Sequence, residues 1–190
     1  MSKNNKKSTN YSWIIKIIII AFVISFIFTF ISETSIPKVN IFLGIILTLL
    51  FILIGVLFDM IGVAVATANE DVFHSMAAKR VKGARMAVRL KKNADKVSSF
   101  CNDVIGDICG IISGSTGAVI SLKIANTFNL NQLIVTLIIM GIISSMTIGG
   151  KAMEKGLAMN KSNKIVMGFA KVLSIFSKSW GYIWKKMVLL

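Results

Sequence analysis

Three acidic residues sit in stretches where charge is costly. Asp59, Asp103 and Asp107 fall inside apolar runs, while the whole 190-residue chain holds only 8 aspartates and glutamates. An ionised carboxylate at the centre of a bilayer span costs roughly 2.5–3.5 kcal/mol on insertion scales, and less near an end. A residue retained at that cost has a partner or a task. Two carboxylates facing each other repel unless a proton or a cation sits between them. Hard oxygen ligands suit Mg²⁺ or Ca²⁺, and Mg²⁺ keeps several waters, so two carboxylates with a few neutral oxygens can suffice.

The spacing places these groups together. In a regular helix Gly55, Asp59, Gly62 and Ala66 share one face. Asp103, Gly106, Asp107, Gly110, Gly114 and Gly117 share another, and Gly106, Gly110 and Gly114 form a small-residue ridge that permits close helix contact. Asp59 and Asp107 each lie nine residues from the expected cytoplasmic end of their span, at Ala68 and near Ser98. At 1.5 Å per residue both are expected at roughly 13 Å depth. Thr136, Ser144 and Thr147, with Ser145 beside them, add hydroxyls from a further span. Two readings of these residues stay open: a cation site, or aspartates that reach the interface or pair with Lys96 or Lys151 across glycine faces that serve packing.

Other chemistry is sparse. His74 is the one histidine and is read as a surface residue. H-E-x-x-H, G-x-S-x-G, P-loop and C-x-x-C patterns are absent. Cys101 and Cys109 read as small apolar residues of a helix. The chain is therefore not expected to be an enzyme.

The elements that must position the aspartates follow from composition. Hydrophobic residues make up 55% of the chain and charged ones 16%, and mean hydropathy is +0.76. A soluble domain carries about 25% charged residues, and one core of this size cannot hide so much apolar surface. A span needs about 20 apolar residues. Four segments meet that length: Trp13 to Ile31, Ile41 to Ala68, about Ser98 to Leu122, and Leu133 to Gly150. Backbone groups in lipid must be satisfied within their own segment, so these are helices. The first could instead be a signal peptide, since Lys3, Lys6 and Lys7 precede it, but Ser32-Glu33-Thr34 is a poor cleavage site.

The net charge of +14 is unevenly spread. Lys79 to Lys96 and Lys151 to Lys186 are rich in lysine and arginine, as is the N-terminal tail, whereas the other two loops hold only Lys38 and Lys123. The positive-inside rule then gives a cell-membrane protein with both termini cytoplasmic. Because the charges flank spans, nucleic acid is not an expected partner; the lipid bilayer is. Beyond Asn163, Lys164, Lys171, Lys178 and Lys185 recur every seven residues, opposite Val166, Phe169, Leu173, Phe176, Trp180 and Trp184. That pattern predicts an amphipathic helix lying in the interface, near anionic lipids. The expected fold is all-α: a polytopic helical membrane protein with four spans and this C-terminal interfacial helix. The expected divisions are a basic tail 1–12, an N-terminal span 13–31, a three-span domain 41–163 with a cytoplasmic helix 70–97, and an amphipathic helix 164–190.

The pattern over about residues 41–176 resembles the membrane domain of the CNNM/CorC (CorB-like) magnesium transporters. The residues that carry the resemblance are Phe58-Asp59-Met60-Ile61-Gly62 with the small-residue run to Asn69, Lys82-Gly83-Ala84, Asn93-Ala94-Asp95-Lys96, Ile105-Gly106-Asp107, and Gly150 to Ala158. The last aligns without a gap to the family's Gly-Glu-x-x-Pro-Lys-x-Leu-Ala. The resemblance implies a homodimer, three spans per subunit with a belt-like interfacial helix, and a metal site that maps onto Asp59 and Asp107. It also implies Mg²⁺ as the transported ion. The expected mechanism is alternating exposure of the Asp59/Asp107 site; by position in the sequence, Asp103 then sits one turn nearer the cytoplasm, and Ser144, Thr147 and carbonyls near Gly149 are the expected neutral donors. The chain departs from the family at Gly62, Lys151 and Glu154. It carries no nucleotide-binding CBS region, so regulation is expected from a separate cytosolic chain. The added carboxylates favour transport. Lys151 favours the alternative, a non-transporting relative that binds or regulates another membrane protein through the Gly106/Gly110/Gly114 ridge and the basic cytoplasmic helix. A small pore-former of holin type is a third, minor reading, supported by the basic tail alone.

Overall fold

The structure is a computed structural model that describes the backbone of residues 11–35 and 40–188, and side chains over most of 14–175. The basic tail 1–10, Lys38, and the side chains of Phe176, Lys178, Trp180, Trp184 and Lys185 lie outside the described residues. Every regular element among the described residues is helical.

The chain begins with α1 (Tyr11–Ser35) and α2 (Ile41–Thr67). A set of short helices follows: α3 (Glu70–Ala78), α4 (Ala84–Lys92) and α5 (Ala94–Ser99). Then come a π-helical segment (Phe100–Gly106), α6 (Asp107–Phe128), α7 (Gln132–Asn160) and α8 (Ser162–Val188). Among the described residues, three helical stretches are long and apolar enough to cross a membrane: Ile41–Thr67, Ala94–Phe128 and Gln132–Asn160. This is a membrane protein by that measure. In α1 the apolar stretch Ile17–Ile31 is shorter, and it packs against α6.

The described spans differ in burial. Half of the most apolar window of Ala94–Phe128 is buried in the protein, against 6% for α7. The α5–π–α6 rod is therefore the axis on which α1, α2 and α7 pack. On α2, Gly44, Thr48, Ile52, Gly55, Asp59 and Gly62 are buried while Leu43, Leu49, Leu50, Leu53 and Leu57 are exposed. Small residues face protein and large apolar ones face outward, the distribution expected where lipid replaces water.

The predicted cytoplasmic helix 70–97 is broken into three. Arg80 (φ 56°) and Gly83 (φ 89°) take left-handed backbone between α3 and α4. Gly83 is also touched by α8: a Cβ there would lie 3.1 and 3.2 Å from the backbone N and Cα of Lys171. Phe73, Ala84, Ala87, Leu90, Val97, Val166, Met167 and Ala170 form the core beneath the spans. The first half of α8 thus packs on α2 and α4, with Lys164 and Lys171 exposed. Asn163 accepts a hydrogen bond from the Asn69 amide at 2.9 Å, tying the start of α8 to the start of α3.

α7 continues past Gly150 to Asn160. The predicted end at Gly150 assumed that the helix stops where charge begins, but no proline or cap intervenes. The extra turns carry Lys151, Glu154 and Lys155 beside α2.

Candidate functional site

The α2–α6 contact is built on glycines of α2. An ideal Cβ on Gly44 would lie 3.1 Å from Ile120 Cγ1, and one on Gly55 would lie 3.1 Å from Cys109 Cβ. One on Gly62 would overlap the Asn102 carboxamide and sit 3.1 Å from the Ser98 carbonyl oxygen. Asp59 lies between these contacts and is buried, at 7% exposure. On the other flank, a Cβ on Gly150 would lie 2.8 Å from Val56 Cγ2. α2 and α7 run in the same direction, so one turn further along this contact Glu154 meets Asp59. The two carboxyl groups interact, and Lys151 and Lys155 also act on Glu154.

Glu154 is buried at 4% exposure. Neither of its carboxyl oxygens has a hydrogen bond of good geometry, and Asn102 Oδ1 is likewise buried without a partner. The Asp59 contact is thus an approach of two acids rather than a formed hydrogen bond. Buried acceptors left without donors cost about 1–3 kcal/mol each, more when charged. Lys151 stands close by: a Cβ on Gly106 would lie 3.8 Å from its Nζ. Asp59 of α2 and Glu154 of α7 meet, Lys151 acts on Glu154, and Asn102 Oδ1 of the π segment lies over Gly62, one turn along α2 from Asp59. Chemically the site is short of positive charge and donors, which a hard cation with its waters would supply.

The predicted residues are distributed differently. Asp59 is in the site. Asp103 and Asp107 are exposed on the surface of the chain. The reason is the π segment. Wider winding over Phe100–Gly106 fits an extra residue into the turn, so faces drawn at 100° per residue do not carry through it. Phe100, Cys101, Val104 and Gly106 turn inward in its place. Thr147 donates its hydroxyl to Ile143 O of its own helix at 2.8 Å, and Ser144 is exposed. Thr136 pairs instead with Ser121, their hydroxyl oxygens 3.0 Å apart. Of the ridge, Gly106 is buried, but a Cβ on Gly110 or Gly114 would meet nothing within 4 Å. Among the described residues, the ridge therefore has no close partner beyond Gly106. Among the described residues, no group of three or more His, Cys, Asp or Glu is gathered as a metal cluster.

Asn102 and Glu154 escaped the sequence reading. Glu154 was detectable: it follows Gly150 by one turn on the same face, provided the helix is allowed to continue. Asn102 has no comparable sequence signature, because its direction depends on the π winding. Comparison of the chain with protein-family models, curated proteins and solved structures finds no match.

Proposed function

We propose that this chain is an integral membrane carrier of a hard divalent cation, Mg²⁺ in the first instance, of the type the CNNM/CorC resemblance implies. In this reading it crosses the cell membrane four times, keeps both termini in the cytoplasm and works as a homodimer. The cation is bound by Asp59 and Glu154, with Asn102 Oδ1 as neutral donor and water completing the shell. Asp103 and Asp107 are left outside the binding set.

One observation carries the reading: the buried meeting of Asp59 and Glu154, with both Glu154 oxygens and Asn102 Oδ1 unpartnered. Loss of one carboxylate removes a full charge from the ligand set, so flux should fall sharply rather than in proportion. The test is Mg²⁺ uptake by proteoliposomes containing an Mg²⁺ indicator. Asp59→Asn and Glu154→Gln are expected to abolish uptake, and Asp107→Asn to leave it within about threefold, since Asp107 is exposed and outside the ligand set. Flux no higher than in empty liposomes, or equal flux in all four proteins, would remove transport.

Lys151 favours a second reading. Its ammonium stands beside the acids and would serve as a fixed counter-charge in a non-transporting membrane protein. Lys151→Met distinguishes the two. A carrier should keep or gain flux, whereas a fixed ion-pair core should lose stability and show no flux with or without the lysine.

A further inference from the structure

Lys91 behaves unlike the other cations of α4. Its Nζ donates to Val65 O at 3.2 Å and to Ala66 O at 2.8 Å. These carbonyls end α2, where a helix has unpaired acceptors and partial negative charge that a cation satisfies. The contact also fixes depth: α4 lies within one lysine side chain of the cytoplasmic end of a span. Its start is fixed as well, by Gly83 against the α8 backbone. Ala84, Ala87 and Leu90 face the core. Arg85, Arg89 and Lys92, spaced four and three residues apart, are exposed on the other side. Asp95, the acidic residue of the following turn, already has an interaction of its own.

We propose that the outer face of α4 binds the phosphate of an anionic phospholipid in the cytoplasmic leaflet. Arg85 and Arg89 present planar forks that match phosphate oxygens in pairs, and Lys92 adds a point charge. Basic residues at the surface next to a span draw anionic headgroups, each strengthening the association roughly fivefold. A soluble polyanion would meet the same charges but would gain nothing from their depth. The proposal stands independently of cation transport.

The test uses the full chain in nanodiscs of phosphatidylcholine doped with phosphatidylglycerol, with retained lipid counted by native mass spectrometry after extraction. The wild type should retain phosphatidylglycerol in preference to phosphatidylcholine. Arg85→Gln/Arg89→Gln should lower that retention by about twenty-fivefold, from two losses of roughly fivefold. Lys161→Gln/Lys164→Gln removes the same charge from lysines at the α7–α8 turn and the start of α8 that carry no planar forks, and should lower retention clearly less than the Arg85/Arg89 pair does. Arg85→Lys/Arg89→Lys keeps charge and membrane orientation but loses the forks; it should fold normally and still retain less lipid. Four results would overturn the proposal: no headgroup preference in the wild type, equal loss in the two Gln pairs, full retention in the Lys pair, or displacement of the lipid by inorganic phosphate at millimolar concentration.

Discussion

Gly62→Ala probes the site through a single methyl group. The new Cβ would fall on the Asn102 carboxamide and within 3.1 Å of Ser98 O. Asn102 is short and half-buried, and the Ser98 carbonyl is backbone, so the Asn102 side chain must swing away or α2 and the π segment must part. Overpacking of this kind costs about 1–3 kcal/mol. Against it, alanine in a helix interior is favoured over glycine by up to about 1 kcal/mol. The net expectation is a loss of about 1–2 kcal/mol when Asn102 is present. Asn102→Gly removes the obstacle, and in that background the same substitution should be neutral or stabilising by up to about 1 kcal/mol. The sign therefore reverses. Equilibrium unfolding of the purified protein in mixed micelles, run on the four members of the double-mutant cycle, reads a coupling of about 1–3 kcal/mol. Additive effects, or stabilisation by Gly62→Ala in the wild type, would show that the close approach of Gly62 and Asn102 is not as described.

Other expectations follow from the same contacts. Gly83→Ala places a Cβ at φ 89° against the α8 backbone, and should destabilise by more than about 1 kcal/mol, with α8 amides exchanging faster by hydrogen exchange. Lys91→Met strands the Val65 and Ala66 carbonyls and should cost about 1–3 kcal/mol in the same unfolding assay. Gly110→Leu enters open space within the chain; monomer stability should stay within about 0.5 kcal/mol, while a drop in cross-linked dimer would identify the ridge as the contact between copies.

The spans were legible because lipid imposes a length and a composition that short apolar runs cannot imitate, and α2, α6 and α7 follow from that. The glycine face of α2 was legible too, since Gly55, Asp59 and Gly62 keep helical spacing through an unbroken helix. The pairing of Asp59 was not. It depended on projecting Asp107 and Asp103 through Phe100–Gly106 at a regular pitch, and the π winding there turns both outward and Asn102 inward. Winding of this kind follows from tertiary packing around Gly62 and Gly106 rather than from local propensity. Glu154 was missed for a different reason: charge was read as the end of a span, although α7 keeps its helix through Lys151 and buries Glu154 against α2.

The joint holding of a cation by Asp59 and Glu154 is tested most directly with Mn²⁺ as a paramagnetic substitute for Mg²⁺. Electron paramagnetic resonance of the purified chain should give one bound Mn²⁺ per copy, displaced by Mg²⁺, lost in Asp59→Asn and in Glu154→Gln, and retained in Asp107→Asn. A bound-ion signal that survives both the Asp59 and the Glu154 substitutions, or no bound Mn²⁺ in the wild type, would contradict the account.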